Sequence, residues 1–77
     1  MQVSIFKGPD RVFAFTTDPS GANLPPKYAP WTAFKTVELL DGVPTPGVDV
    51  DDCLRDLKAY GVHITDAHVR ITEDAIR

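Results

Sequence analysis

His63 and His68 stand five residues apart with Asp66 between them. Two imidazoles and a carboxylate are the donors a divalent cation takes. In a continuous strand or helix that spacing does not put both rings on one face. A two-residue turn at Thr65 and Asp66 would, because it sets the histidines opposite each other across a hairpin. Such a pair would also repel on protonation in mild acid. No Cys-x-x-Cys or His-x-x-x-His accompanies them, so the expectation is surface or edge histidines and neither a metal nor another cofactor. His63, His68 and Asp66 stand as the candidates should the chain hold a metal or a small ligand.

The other chemically suggestive residues read as structural. Cys53, the single cysteine, falls on the apolar face of a helix, where burial raises a thiol's pKa and suppresses nucleophilicity. Ser4 lies in a strand pattern and Ser20 in a turn, neither with a basic partner nearby in sequence. Gly-x-Ser-x-Gly, phosphate-cradling glycine loops and His-Glu-x-x-His do not occur, so no enzymatic activity is expected. The run Asp49-Val50-Asp51-Asp52 begins like a calcium loop, but Leu54 and Tyr60 stand where glycine and glutamate belong. Pro25-Pro26-Lys27-Tyr28 has the form of a PPxY docking peptide, which aromatic grooves take up as polyproline II. Its neighbour Trp31 favours a different role, an extended crossover whose Leu24, Tyr28 and Trp31 pack on a sheet.

The elements that must position these residues follow from periodicity. Residues 2–18 read as a hairpin turning at Gly8-Pro9-Asp10-Arg11. Residues 32–40 read as a third strand whose Phe34, Val37 and Leu39 do not share one parity, which calls for a bulge or burial on both faces. Val50, Cys53, Leu54, Leu57 and Tyr60 follow one helical face. Asp49 is placed to cap that helix, Asp51 and Asp52 to favour its positive end, and Gly61 to close it. Asp51 and Arg55 are spaced as an i,i+4 pair. Residues 62–71 are strand-like with a break in phase, repaired by the turn at Thr65-Asp66 or by a bulge; a short helix from Asp66 onward is the competing reading. Residues 73–77 read as a frayed tail.

The expected fold is α+β: one domain over 1–77, a small antiparallel β-sheet of four strands, or five, with one α-helix on one face, in the order β-β-β-α-β. One helix cannot cover both faces of a sheet carrying Phe6, Phe13, Phe15 and Phe34. An open sheet face or edge is therefore expected, and a second copy is its simplest cover.

"FAFTTDPSGANLPPKYAPW" and "KAYGVHIT" resemble segments of short bacterial domains of unknown function. The order of elements, with Thr45-Pro46-Gly47 before the acidic helix, is similar to that of HicB-like antitoxin domains, although the crossover here is longer. That resemblance implies a dimeric binding module without catalysis and supplies no active-site residues.

Composition sets the outer limits. The chain has 77 residues, 43% of them hydrophobic, and a net charge of −3. It is too short for a large internal cavity and too acidic for a nucleic-acid binder. No apolar segment approaches the ~20 residues of a membrane span. A lone cysteine, and a strand-like run directly after Met1 in place of a signal sequence, fit a cytoplasmic protein. The functional expectation is a non-catalytic domain working through protein contacts, as a homodimer or with another protein, over a surface of Phe13, Phe15, Tyr28 and Trp31. The alternative is a small ligand- or metal-binding module at the His63/His68 hairpin.

Overall fold

The computed structural model describes residues 1–67 and 69–76. Five antiparallel strands form one sheet: β1 (Gln2–Lys7), β2 (Val12–Thr16), β3 (Thr32–Glu38), β4 (Val62–Asp66) and β5 (Val69–Arg70), in the spatial order β3-β1-β2-β4-β5. The main helix, α1 (Val50–Tyr60), precedes β4, and a four-residue helix, α2 (Thr72–Ala75), follows β5. The protein is thus the expected α+β fold with the fifth strand present and a short second helix added.

Strict alternation sorts the sheet into two faces. Ile5 pairs with Phe15, and Phe15 with His63, so these three share the face toward α1. Phe6, Ala14 and Ile64 pair in the same way on the other face. On the first face, Val3, Ile5, Phe15 and Leu39 pack against Val50, Cys53, Leu54 and Leu57 of α1. Capping fixes that helix at both ends: the Asp49 carboxylate accepts from the Asp52 amide at 3.1 Å, and Gly61 (φ +81°) donates to Leu57. Arg55 pairs with Asp52 at 3.3 Å in place of the expected Asp51, and Tyr60, counted on the apolar face, is exposed.

Of the expected open sheet face or edge, the structure keeps the edge, at β3, and corrects the face. Phe6, Val12, Ala14, Val62 and Ile64 are covered by Leu24, Tyr28 and Trp31 from the crossover 17–31 and by Ala75 of α2. Residues 73–76 are accordingly docked rather than frayed, because burying Thr72 and Ala75 anchors the short helix; Arg77 lies outside the described residues. Within the crossover Pro26–Tyr28 coil into a single 3-10 turn, so Pro25-Pro26-Lys27-Tyr28 is not an extended docking ligand. The Trp31 indole N–H donates to the Pro25 carbonyl at 2.9 Å.

Of the two irregularities that the sequence calls for, the structure has the one in β3 and resolves the other differently. The phase break in β3 is a bulge: Ile5 pairs with Lys35 and Phe6 with Ala33, leaving Phe34 as the extra residue. The break near β4 is not a turn at Thr65-Asp66, because β4 stays paired with β2 through Asp66, which opposes Val12. Asp66 then pairs with Val69 and Thr65 with Arg70.

Gly8 is fixed by the strap. A Cβ there would lie 2.9 Å from Trp31 Cζ3 and 3.1 Å from the Tyr28 carbonyl oxygen. Gly8→Ala is expected to lose about 1–3 kcal/mol, the usual cost of overpacking. Urea denaturation followed by Trp31 fluorescence checks this.

Candidate functional site

The α1 face is closed under the body of the helix and open beyond its N-terminus. Two cross-strand rows make the floor there. Lys35, Ile5, Phe15 and His63 form one row, and Phe13, Thr65 and Arg70 the other. The loop before α1 makes the wall. Thr45 and Val48 bridge around Pro46-Gly47, with the Val48 amide donating to the Thr45 carbonyl at 3.1 Å. Gly47 has φ +77°, the conformation a proline-led turn of this type requires of its third residue. Between floor and wall lies a groove of about 580 Å³. Phe34, pushed outward by the bulge, stands at its edge and meets Phe13 edge-on with ring centroids 5.7 Å apart.

The polar end of the groove is held from beneath by Asp56. This carboxylate is 1% exposed although it sits on a surface helix. Its Oδ2 accepts from His63 Nδ1 at 2.6 Å, Arg70 Nε at 2.8 Å and the Thr72 hydroxyl at 2.7 Å, and its Oδ1 from Arg70 Nη2 at 2.6 Å. The fork–carboxylate geometry of Arg70 is the strong, bidentate kind. Thr72 Oγ1 also accepts from the Ile64 amide at 2.9 Å, standing in for a ladder partner that two-residue β5 does not reach. Burial alone would push the Asp56 carboxyl up, but the hydrogen bonds from Arg70, His63 and Thr72 outweigh it and hold it at about 2, below its usual 3.8. Asp56 and Glu73 together raise the Arg70 guanidinium further.

An ionised carboxylate has no proton to give, so Nδ1 of His63 must be the donor in that bond. Nε2 is the free ring nitrogen. Among the described residues it has no hydrogen-bond partner, and its ring is part of the groove's lining. The ring is clamped on its other side by Phe15, at 5.4 Å between centroids.

The sequence candidates are only partly brought together. His63 is a buried member of this network and not a surface histidine, because Asp56 gives it a partner inside. His68 lies outside the described residues, and with it the paired-imidazole arrangement. Asp66 is exposed and, by strand alternation, points to the face opposite His63. No three His, Cys, Asp or Glu side chains among the described residues form a cation cage. Phe13 and Phe15 line the groove, whereas Tyr28 and Trp31 pack on the opposite face, so the four do not make one surface. Cys53 is fully buried; burial, with Asp56 and Asp49 adding to it, pushes its thiol up to about 12.

Asp56, Arg70 and Thr72 were not singled out from the sequence. The available signal was Asp56 itself, three residues after Cys53 and beside Leu57, a charge at the margin of an apolar helical stripe.

Asp56→Ala leaves Arg70 and His63 without their shared acceptor and is expected to destabilise the fold by on the order of 3 kcal/mol or more, read by urea denaturation. Since the folded state holds Asp56 below 3.8, the unfolded chain binds its proton first as the pH falls. The carboxylate's stabilisation, on the order of 2 kcal/mol, is therefore complete above that value and drains away as the pH drops through about 2. Melting curves between neutral and strongly acid pH should show that loss in the native chain and not in Asp56→Asn. No protein-family model matches the chain, and neither a curated protein nor a solved structure matches it.

Proposed function

We propose that this chain is a non-catalytic binding domain whose site is the groove beyond the α1 N-terminus, and that its occupant is a small, mostly apolar molecule. One observation carries the reading: an open groove of about 580 Å³ with phenylalanine in its floor and edge and, among a few polar side chains, the His63 ring, whose Nε2 has no hydrogen-bond partner among the described residues. Ligand sites characteristically have a volume of about 300–1,000 Å³, an apolar lining and a few fixed polar groups. The Asp56 network supports the same reading, since it locks the His63 ring before any ligand arrives and so lowers the ordering cost of binding.

The protein-contact reading drew on an open sheet face carrying Tyr28 and Trp31. With that face covered from within the chain, the exposed apolar surface that most resembles a recognition site is the groove. A cytoplasmic setting belongs to the same proposal: Cys53 is an unpaired thiol, and among the described residues no helix is long and apolar enough to cross a membrane. The net charge of −3 supports a ligand other than nucleic acid.

Titration with the methyl ether of naphthol, an apolar bicyclic probe, tests the site. NMR shifts confined to Phe13, Phe34 and Val48 and saturating below millimolar probe are expected. Phe34→Ala should weaken binding by roughly fivefold, the value of one aromatic contact, while the protein stays folded with a small drop in melting temperature, because Phe34 is 56% exposed and loses mainly its edge contact with Phe13. Shifts scattered over the surface, or no saturation, would overturn the proposal.

A further inference from the structure

Within that reading, on which this inference rests, we infer that the groove selects neutral ligands carrying an O–H or N–H donor on an aromatic-sized apolar body, and that His63 Nε2 accepts that donor's hydrogen bond. Phenols and hydroxylated ring systems are the chemical class. Three features argue for it.

Direction comes first. The Asp56 carboxylate accepts at both oxygens and donates nothing, so the proton of the neutral imidazole sits on Nδ1 and Nε2 presents a lone pair. The tautomer is thereby fixed by a residue that the ligand never touches. The side chain is 3% exposed, so that lone pair is offered only through the groove.

Charge comes second. Asp49 and Asp52 stand on one side of the groove and Lys35 on the other. Asp49 is committed to the helix cap and Asp52 to Arg55. Arg70, the cation closest to His63 in the network, has its charge met by Asp56 and Glu73. Lys35 has no ion-pair partner among the described residues and lies over the Phe34 ring; with Arg70 it balances Asp49 and Asp52, so the groove's lining carries no net charge to favour a carboxylate or an ammonium group.

Surroundings come third. The aromatic floor places the acceptor at the end of an apolar slot, where a ligand that lacks a donor must strip Nε2 of water and return nothing. Sites built around such a group reject the analogue that cannot bond to it far more strongly than apolar pockets reject a change of size.

Naphthol and its methyl ether, titrated in parallel into the intact chain with ¹⁵N-labelled imidazoles, decide the matter. The expected result is that, in the neutral ring, His63 Nε2 resonates as the nitrogen without a proton and shifts when naphthol binds, and that naphthol binds about tenfold more tightly than the ether. Equal affinities with an unmoved Nε2 signal would overturn the inference while leaving the groove proposal standing. A protonated Nε2 in the free neutral ring would overturn it as well. Failure of both probes to enter the groove would overturn the groove proposal and this inference together. His63→Phe, if it folds, should erase the preference and retain the ether's affinity. The comparison of the two probes on the unaltered chain does not depend on that variant.

Discussion

The buried carboxylate of Asp56 is the point at which four elements are tied together. It projects from α1, and its partners come from β4, β5 and α2. A carboxylate 1% exposed is affordable only because each oxygen is met by charged or strongly polar donors. The placement of β5 and α2 follows from that requirement. Two strand residues alone give little pairing, and four helical residues fall far below the length at which a helix holds itself. Arg70 and Thr72 make these fragments part of the fold by reaching back to the same acceptor.

The second constraint is coverage. A chain of 77 residues has one full helix to spend on a two-faced sheet. The crossover 17–31 solves the problem with proline and aromatic residues rather than with secondary structure. Its prolines restrict the unfolded chain, and Trp31, held by the Pro25 carbonyl, lies so close to Gly8 that a side chain there would collide with it. The result leaves α1 free to sit off-centre on its own face, so that the groove opens beyond its first turn.

Signals that act on the backbone within a turn carried through to the structure, whereas side-chain partners and the position of the β4–β5 turn did not. Asp49 and Gly61 bound α1 as cap chemistry requires, because both act on backbone groups within a turn of themselves. The mismatched parity of Phe34, Val37 and Leu39 calls for a bulge or burial on both faces, and the structure shows the bulge, at Phe34. The helix was legible, but not the partner Asp56 finds beyond its face, which is set by a strand ending fourteen residues later. The chemistry of His63 is legible but its burial is not, because the phase of β4 says which residues share a face but not which face carries the helix. The role of Trp31 was legible as a choice between core and rim. It is partly buried against the second cluster, a position set by the path of the strap and not by composition.

The bulge at Phe34 has a consequence for the outer edge of the sheet. β3 is a seven-residue edge strand, almost wholly exposed, and a flat edge of that length would be a template for another chain's backbone. With one extra residue in its middle, its outward amides and carbonyls lose their even spacing. An incoming strand in register on one side of Phe34 would be out of register on the other. It would also meet the ammonium group of Lys35 at the centre of the strand. The same distortion that turns a phenylalanine toward the groove thus guards the chain against adding strands without limit.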